Sequence, residues 1–344
     1  SSKRLAADQR AFESLCAGIY DAVVGWWVED CGSLRPEVLE RVVLETKCVK
    51  RIVVQGFPSD AKTLELSKRV QALCPFLVTM LRSWLGAGAP VSTVQPGLKL
   101  LKMVHSVQEV HCWAFAASGV LISYLELLCG EVSRGFGGPR DGARADACVR
   151  ERHKRVLAAM YAVIKCPGYR GSSSSLLMPA GKARELKQQL EQMAGEVGAT
   201  LKQFWAVGKK DAALLTLVVQ QYFPLTAEEM ELWDEDGETF HQETEHAAKE
   251  ETVRGCAELL YNALLESNRE GLAPVVVNMM HQCAASTDLA ESRAALEPSA
   301  VMHAVSLGAY DLYDHVDFSE VLRGSIAPVL SRVPCSEAQN GIQG

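Results

Sequence analysis

The sequence predicts an all-α protein made of stacked amphipathic helices. Apolar residues recur at spacings of 3, 4 and 7 through most of the 344 residues, the period of a helix with one buried face. Sustained alternation bounded by turn pairs, the mark of strands, is nearly absent: Asp236-Gly237 lies in an acidic stretch and Asn340-Gly341 near the end. The predicted helices run to roughly 15–25 residues and are joined by short turns, which suits a bundle or an α-solenoid of helix pairs. No exact repeat occurs at fixed spacing. Degenerate pairs would show none, since each needs only an apolar face for its neighbours.

The first predicted helix spans about 5–28, with Leu5, Phe12, Leu15, Ile19, Val23 and Trp26 on its inward face. Cys31-Gly32-Ser33 ends it. Pro36 suits the first turn of the next helix, where its missing N–H costs little. That helix runs to Gln55 with Leu39, Val42, Thr46, Val49, Ile52 and Val53 inward, and Gly56 stops it. Phe57-Pro58-Ser59-Asp60 caps a third, whose stripe is Leu64, Val70, Leu73, Leu77, Leu81 and Trp84. Gly86-Ala87-Gly88-Ala89-Pro90 is a clear break. From about 97 to 128 the pattern predicts two helices or one bent helix, then a loop over 130–142. Helix resumes over 143–165 and ends before Pro167. Residues 168–181, with Ser172-Ser173-Ser174-Ser175, read as a mobile linker. Helices return at about 182–207 and 211–222, and two short apolar helices follow Arg254.

Composition narrows the function. With 48% hydrophobic and 22% charged residues the chain reads as an ordinary folded protein. A net charge of -7 argues against a general nucleic-acid binder and allows basic protein partners. Eleven cysteines occur without a C-x-x-C pair, mostly in apolar helical patterns, including Cys16, Cys48, Cys112, Cys129 and Cys256. They read as reduced, buried thiols of the cytosol or nucleus. The most apolar run, Cys112 to Leu125, is shorter than the roughly 20 residues a membrane span needs, so it reads as a buried helix and no membrane insertion is expected. The chain opens without an initiating Met or signal peptide and reads as a piece of something longer.

No constellation calls for catalysis, a metal or a cofactor. The P-loop pattern does not occur, and Gly135-Phe136-Gly137-Gly138 has no preceding strand to aim it at a phosphate. The pairs His241 and His246, and His105 and His111, miss the i, i+4 spacing of a helical zinc site. Cysteines and histidines co-occur without a pairing signature. Arg150, Arg152, Lys154 and Arg155, with Arg144 nearby, read as the solvated face of a helix, since no aromatics interleave for base stacking.

The stretch from 222 to 330 is more informative. Thr226-Ala227-Glu228-Glu229 is a capping box, and the acids Glu228, Glu229 and Glu231 suit a helix N-terminus. Between Glu228 and Glu251 eleven acids face one base, Lys249. Such density repels itself and opposes compact packing, so an acidic loop is predicted over about 234–251. It is either a solvated loop or a surface that holds a basic partner, with Asp234, Glu235, Asp236, Glu238, Glu243 and Glu245 as the candidate contacts.

Phe223-Pro224-Leu225-Thr226, Glu229, Trp233, Glu235-Asp236 and Val253-Arg254 resemble the middle of an importin-β-type (karyopherin-β) nuclear transport receptor. Leu272-Ala273-Pro274-Val275-Val276, Met279-Met280, the run from Ala304 to Tyr313, and Val316-Asp317-Phe318 are similar to its importin-11-like branch. The beginning agrees, in Ser2-Lys3-Arg4-Leu5, Phe12, Gly18-Ile19, Gly25-Trp26-Trp27 and the run from Lys50 to Phe57. The resemblance is faint over 86–142 and 171–208. It implies an α-solenoid of HEAT-type helix pairs over 1–330, with 331–344 departing from the pattern as an unstructured tail. It further implies a carrier rather than an enzyme: basic protein cargo on the inner face, Phe-Gly nucleoporins on the outer face, and cargo release by Ran-GTP. The family's N-terminal helices, which hold the main Ran contact, are expected to precede this chain. The competing expectation is a helical-repeat scaffold that works without Ran.

Overall fold

A computed structural model describes residues 2–60, 66–135, 147–170, 183–240, 249–285 and 292–327. All regular structure among them is helical. The helices are α1 (Ser2–Cys31), α2 (Pro36–Gly56), α3 (Lys68–Leu85), α4 (Val94–Val110), α5 (Cys112–Ala117), α6 (Leu121–Ser133), α7 (Ala147–Ile164), α8 (Ala183–Ala206), α9 (Lys210–Tyr222), α10 (Ala227–Glu235), α11 (Val253–Ser267), α12 (Arg269–Ala285), α13 (Ser292–Leu307), α14 (Ala309–Leu312) and α15 (Phe318–Val321).

They stack as antiparallel pairs in two layers. The pairs are α1–α2, α3–α4, α6–α7 and α9–α11. Their second helices pack side by side in the order α2, α4, α7, α11. The first helices follow in parallel, α3 on α6 and α6 on α9, and α12 and α13 close against α9 and α11. This is an all-α helical-repeat solenoid. One apolar core runs unbroken from Tyr20 to Leu312, as expected where each pair buries its face on the next.

Buried hydroxyls and ring nitrogens tie neighbouring pairs to each other's backbone. Tyr20 donates to the Arg69 carbonyl at 3.1 Å, and His111 Nε2 lies 2.8 Å from the Val53 carbonyl. The Tyr169 hydroxyl reaches the Cys112 carbonyl at 3.0 Å, and the Tyr261 hydroxyl reaches the Ala304 carbonyl at 2.9 Å. Each oxygen sits at a helix end or turn, where a carbonyl lacks its intrahelical donor, or shares a helical one.

Several elements differ from the sequence expectation. On α1 the buried residues are Cys16, Tyr20, Trp27 and Cys31, while Phe12, Leu15, Ile19 and Trp26 are exposed. Both sets step by 3, 4 or 7, so periodicity alone could not choose between them. Packing decides: Gly56 of α2 lets α1 approach so closely that a Cβ there would lie 2.6 Å from Cys16 Sγ. The predicted inward face of α2 holds, with Ile52 partly buried.

The third helix starts at Lys68, with Ser67 as its cap. Leu64 lies outside the described residues. Asp60, expected to cap that helix, instead accepts from the backbone N–H groups of Trp113 (3.3 Å) and Ala114 (2.7 Å), at the start of α5. The apolar run Cys112 to Leu125 is buried at both ends but not in its middle, and it is not one helix. It breaks between α5 and α6, where Gly119 adopts φ 76°, a conformation open to glycine at little cost. Three helices rather than two follow Arg254 before Ala309. Of the cysteines, Cys16, Cys112 and Cys256 are buried as expected, but Cys48 is exposed and Cys129 half-buried. Among the described residues no helix is long and apolar enough to cross a membrane. The predicted linker falls largely outside the described residues, as do the tail, the histidine pair at 241 and 246, and the glycine-rich segment beyond Gly135.

Candidate functional site: the acidic edge between α9 and α11

The chain leaves the two-layer stack after α9 and rejoins it at α11. Phe223, at the exit, is buried against Tyr261 and His303, with ring centroids 5.5 and 5.3 Å away. This anchor fixes where the acidic excursion begins.

The capping box predicted at Thr226 is present. Thr226 Oγ1 accepts from the Glu229 N–H at 3.2 Å, and Glu229 Oε2 accepts from the Thr226 N–H at 2.7 Å. Glu229 also accepts from Arg254 at the start of α11 (3.2 Å), and Glu228 pairs with Arg150 at the start of α7 (3.4 Å). The excursion is thus strapped along the edge where the second-layer helices begin. Their positive N-terminal ends favour acids there.

Beyond these straps α10 buries no residue. Asp234, Glu235, Asp236 and Glu238 are all exposed. Asp234 and Glu235 make no hydrogen bond or ion pair with a described residue. Asp236 has a structural role as well. Its carboxylate accepts from the Thr239 N–H (3.0 Å) and hydroxyl (2.7 Å), and these bonds hold its pKa below the ordinary carboxylate value. Phe240 is buried and stacks edge-on with the exposed ring of Trp233, centroids 5.2 Å apart. Glu243 and Glu245 lie outside the described residues.

A second knot holds the far end. The buried carboxylate of Glu258 accepts from Lys249 (3.0 Å) and meets His303 Nε2 (2.9 Å). Burial alone would push its pKa up, but those two contacts outweigh it and bring the value below normal. Sequence reasoning missed this knot because its members are separated by 9 and 45 positions.

The basic cluster on α7 is not a solvated face. Arg150 pairs with Glu228, Arg152 with Glu131 (3.5 Å), and Lys154 and Arg155 both with Glu151. All four are half-buried. Arg144 lies outside the described residues. His105 is half-buried beside Glu109 at 3.4 Å. No group of three or more metal-ligating side chains converges among the described residues.

This arrangement presents unpaired carboxylates on a projection anchored at both ends, a geometry for holding a cationic partner. Comparison with known proteins adds a lineage. No protein-family model and no solved structure matches the chain. Human and mouse Importin-11 each align with it over 352 residues at 25% identity, covering 96% of this chain. The chain spans about a third of the length of these curated relatives, 33% in each case. The end-to-end alignment and the stacked helix pairs agree with the motifs at both ends of the sequence and support a relationship of this chain to the importin-β family.

Proposed function

We propose that this chain is a segment of a nuclear import receptor that carries protein cargo through the nuclear pore under control of the GTPase Ran, shuttling between cytoplasm and nucleus. The observation that carries the reading is the alignment of nearly the whole chain with proteins named as importins. The acidic edge supports it. Asp234, Glu235 and Glu238 stand exposed on an anchored projection, suited to a basic cargo segment. Phe-Gly nucleoporins are the partners expected on the outer layer, and binding rather than catalysis is the activity.

The test is affinity for a lysine- and arginine-rich peptide at two ionic strengths. Replacing Asp234, Glu235 and Glu238 by their amides should weaken binding several-fold and flatten its salt dependence, since exposed charge pairs are screened within about 10 Å at 0.1 M salt. Equal affinity for both proteins at both salt levels removes the cargo role from this edge. Ran loaded with GTP or GDP is then added to a longer protein carrying this segment. Peptide release by the GTP form alone supports the receptor reading. Indifference to the nucleotide leaves a Ran-independent scaffold.

A further inference from the structure

A cleft of about 700 Å³ opens between α4, α7 and α11, a size that admits a small ligand. Its walls carry charges of both signs, with Lys154, Arg155 and Lys165 set against Glu109, Glu151 and Glu250. Cys166, just past the end of α7, forms part of the lining. Gln108 of α4 lines it too. That residue is 1% exposed, and neither its amide oxygen nor its amide nitrogen has a hydrogen-bond partner. Buried polar atoms left open in this way suit a ligand that brings amide donors and acceptors of its own.

The turn that carries Cys166 is folded around a second thiol. A Cβ at Gly168 would lie 2.8 Å from Cys112 Sγ, so glycine is what lets the turn close over that sulfur. The Tyr169 hydroxyl fastens the same turn to the Cys112 carbonyl at 3.0 Å. Cys112, the first residue of α5, donates its S–H to Cys166 Sγ, which also accepts from the backbone N–H groups of Tyr169 and Gly168. Those bonds outweigh burial and hold Cys166 below the ordinary thiol pKa. The same bond, together with burial, keeps the proton on Cys112. Other buried thiols lack this support: burial pushes Cys74 up to about 12 and Cys256 up to about 11.

We infer that Cys166 and Cys112 form a thiol–disulfide exchange site that takes a small zwitterionic peptide disulfide from the cleft. Walls of mixed sign match the ammonium and carboxylate groups of such a ligand, and Gln108 matches its amides. The Cys166 thiolate attacks one sulfur, forms a mixed disulfide and expels the first half of the ligand as a thiolate. Cys112 Sγ then attacks Cys166 Sγ and expels the second half. The Cys112 proton passes to Asp60, whose Oδ1 lies 3.9 Å from Cys112 Sγ. Burial raises the pKa of Asp60, which suits it to receive a proton. Two cysteine thiols are oxidised to one disulfide, and one peptide disulfide is reduced to two thiols. The new bond pins the start of α5 to the turn after α7 and so stiffens the junction of two consecutive helix pairs. None of this rests on the receptor reading.

The test treats the full 344-residue chain with oxidised glutathione at neutral pH, alkylates remaining thiols at intervals, and maps unreduced peptides by mass spectrometry. A linked Cys112–Cys166 peptide should accumulate and vanish with dithiothreitol. Cys166 should be consumed at least about tenfold faster than Cys74, which is buried and does not line the cleft. Concentrated urea should abolish that difference. Oxidised glutathione should outpace bis(2-hydroxyethyl) disulfide, an uncharged probe. Cys112→Ser should leave glutathione on Cys166, and Cys166→Ser should leave Cys112 reduced. If neither variant folds, the linked peptide of the parent chain decides. Cys166 still reduced once the exposed Cys48 has reacted, Cys166 linked to any other cysteine, no advantage over Cys74, or equal rates for the two disulfides would each overturn the inference.

Discussion

Two adjacent tryptophans provide the sharpest test of the packing. Trp27 is fully buried, whereas Trp26 is 64% exposed. Trp27 packs edge-on against Phe76 of α3, centroids 5.3 Å apart, and its Nε1 donates to Thr46 Oγ1 of α2 at 3.0 Å. Truncating a buried Trp to Ala typically costs about 3–5 kcal/mol, including the cavity. The lost hydrogen bond adds little, because the Thr46 hydroxyl still donates to the Val42 carbonyl at 2.7 Å. Trp27→Ala should therefore destabilise by about 4 kcal/mol. Trp26→Ala, which removes exposed surface, should fall within about 0.5 kcal/mol of the parent. Urea unfolding measures the sum. Hydrogen exchange read by mass spectrometry locates it, because in a stacked array the loss should concentrate in α1, α2 and α3 and leave α11 to α13 protected. Equal costs for the two tryptophans, or a larger one for Trp26, would mean that α1 is rotated from the phase described and that its exposed stripe is the true core face.

Two further predictions follow from the buried polar groups. His153 is buried with Nδ1 2.8 Å from the Tyr222 hydroxyl, and burial, then Arg152 and Arg134, lower its pKa to about 4. The folded state therefore refuses a proton that the unfolded chain accepts below about 6.5, so stability rises with pH between about 4 and 6.5 and falls on acidification through that window. The contribution is about 3 kcal/mol at most, from 1.36 kcal/mol per pH unit. His153→Gln should flatten thermal stability against pH across that range, and an unchanged slope would refute a neutral buried imidazole. At the acidic edge, Thr226→Ala removes the capping-box acceptor and should cost about 1 kcal/mol. It should raise exchange in α10 without altering α9, whereas protection kept in α10 would show that the straps to Arg150 and Arg254 suffice alone.

The fold class and the chemistry of local caps were legible in the sequence because both depend on residues close along the chain. The period of α2 placed Leu39, Val42, Thr46, Val49 and Val53 inward, and the structure buries all five. The box at Thr226 closes within one helical turn, so its four residues suffice to predict it. Acid density around Asp234 and Glu235 predicted a loop from about 234, but both residues instead close α10, exposed on a helix whose solvated faces keep like charges apart. What tertiary structure alone decided are contacts between residues far apart. A helix with apolar residues on two faces does not say which face has a neighbour, so Trp26 and Trp27 could be told apart only once Gly56 and Thr46 of α2 lay beside α1. Asp60 finds its backbone donors 53 and 54 residues away, and the Glu258 knot joins Lys249 to His303 across three helices.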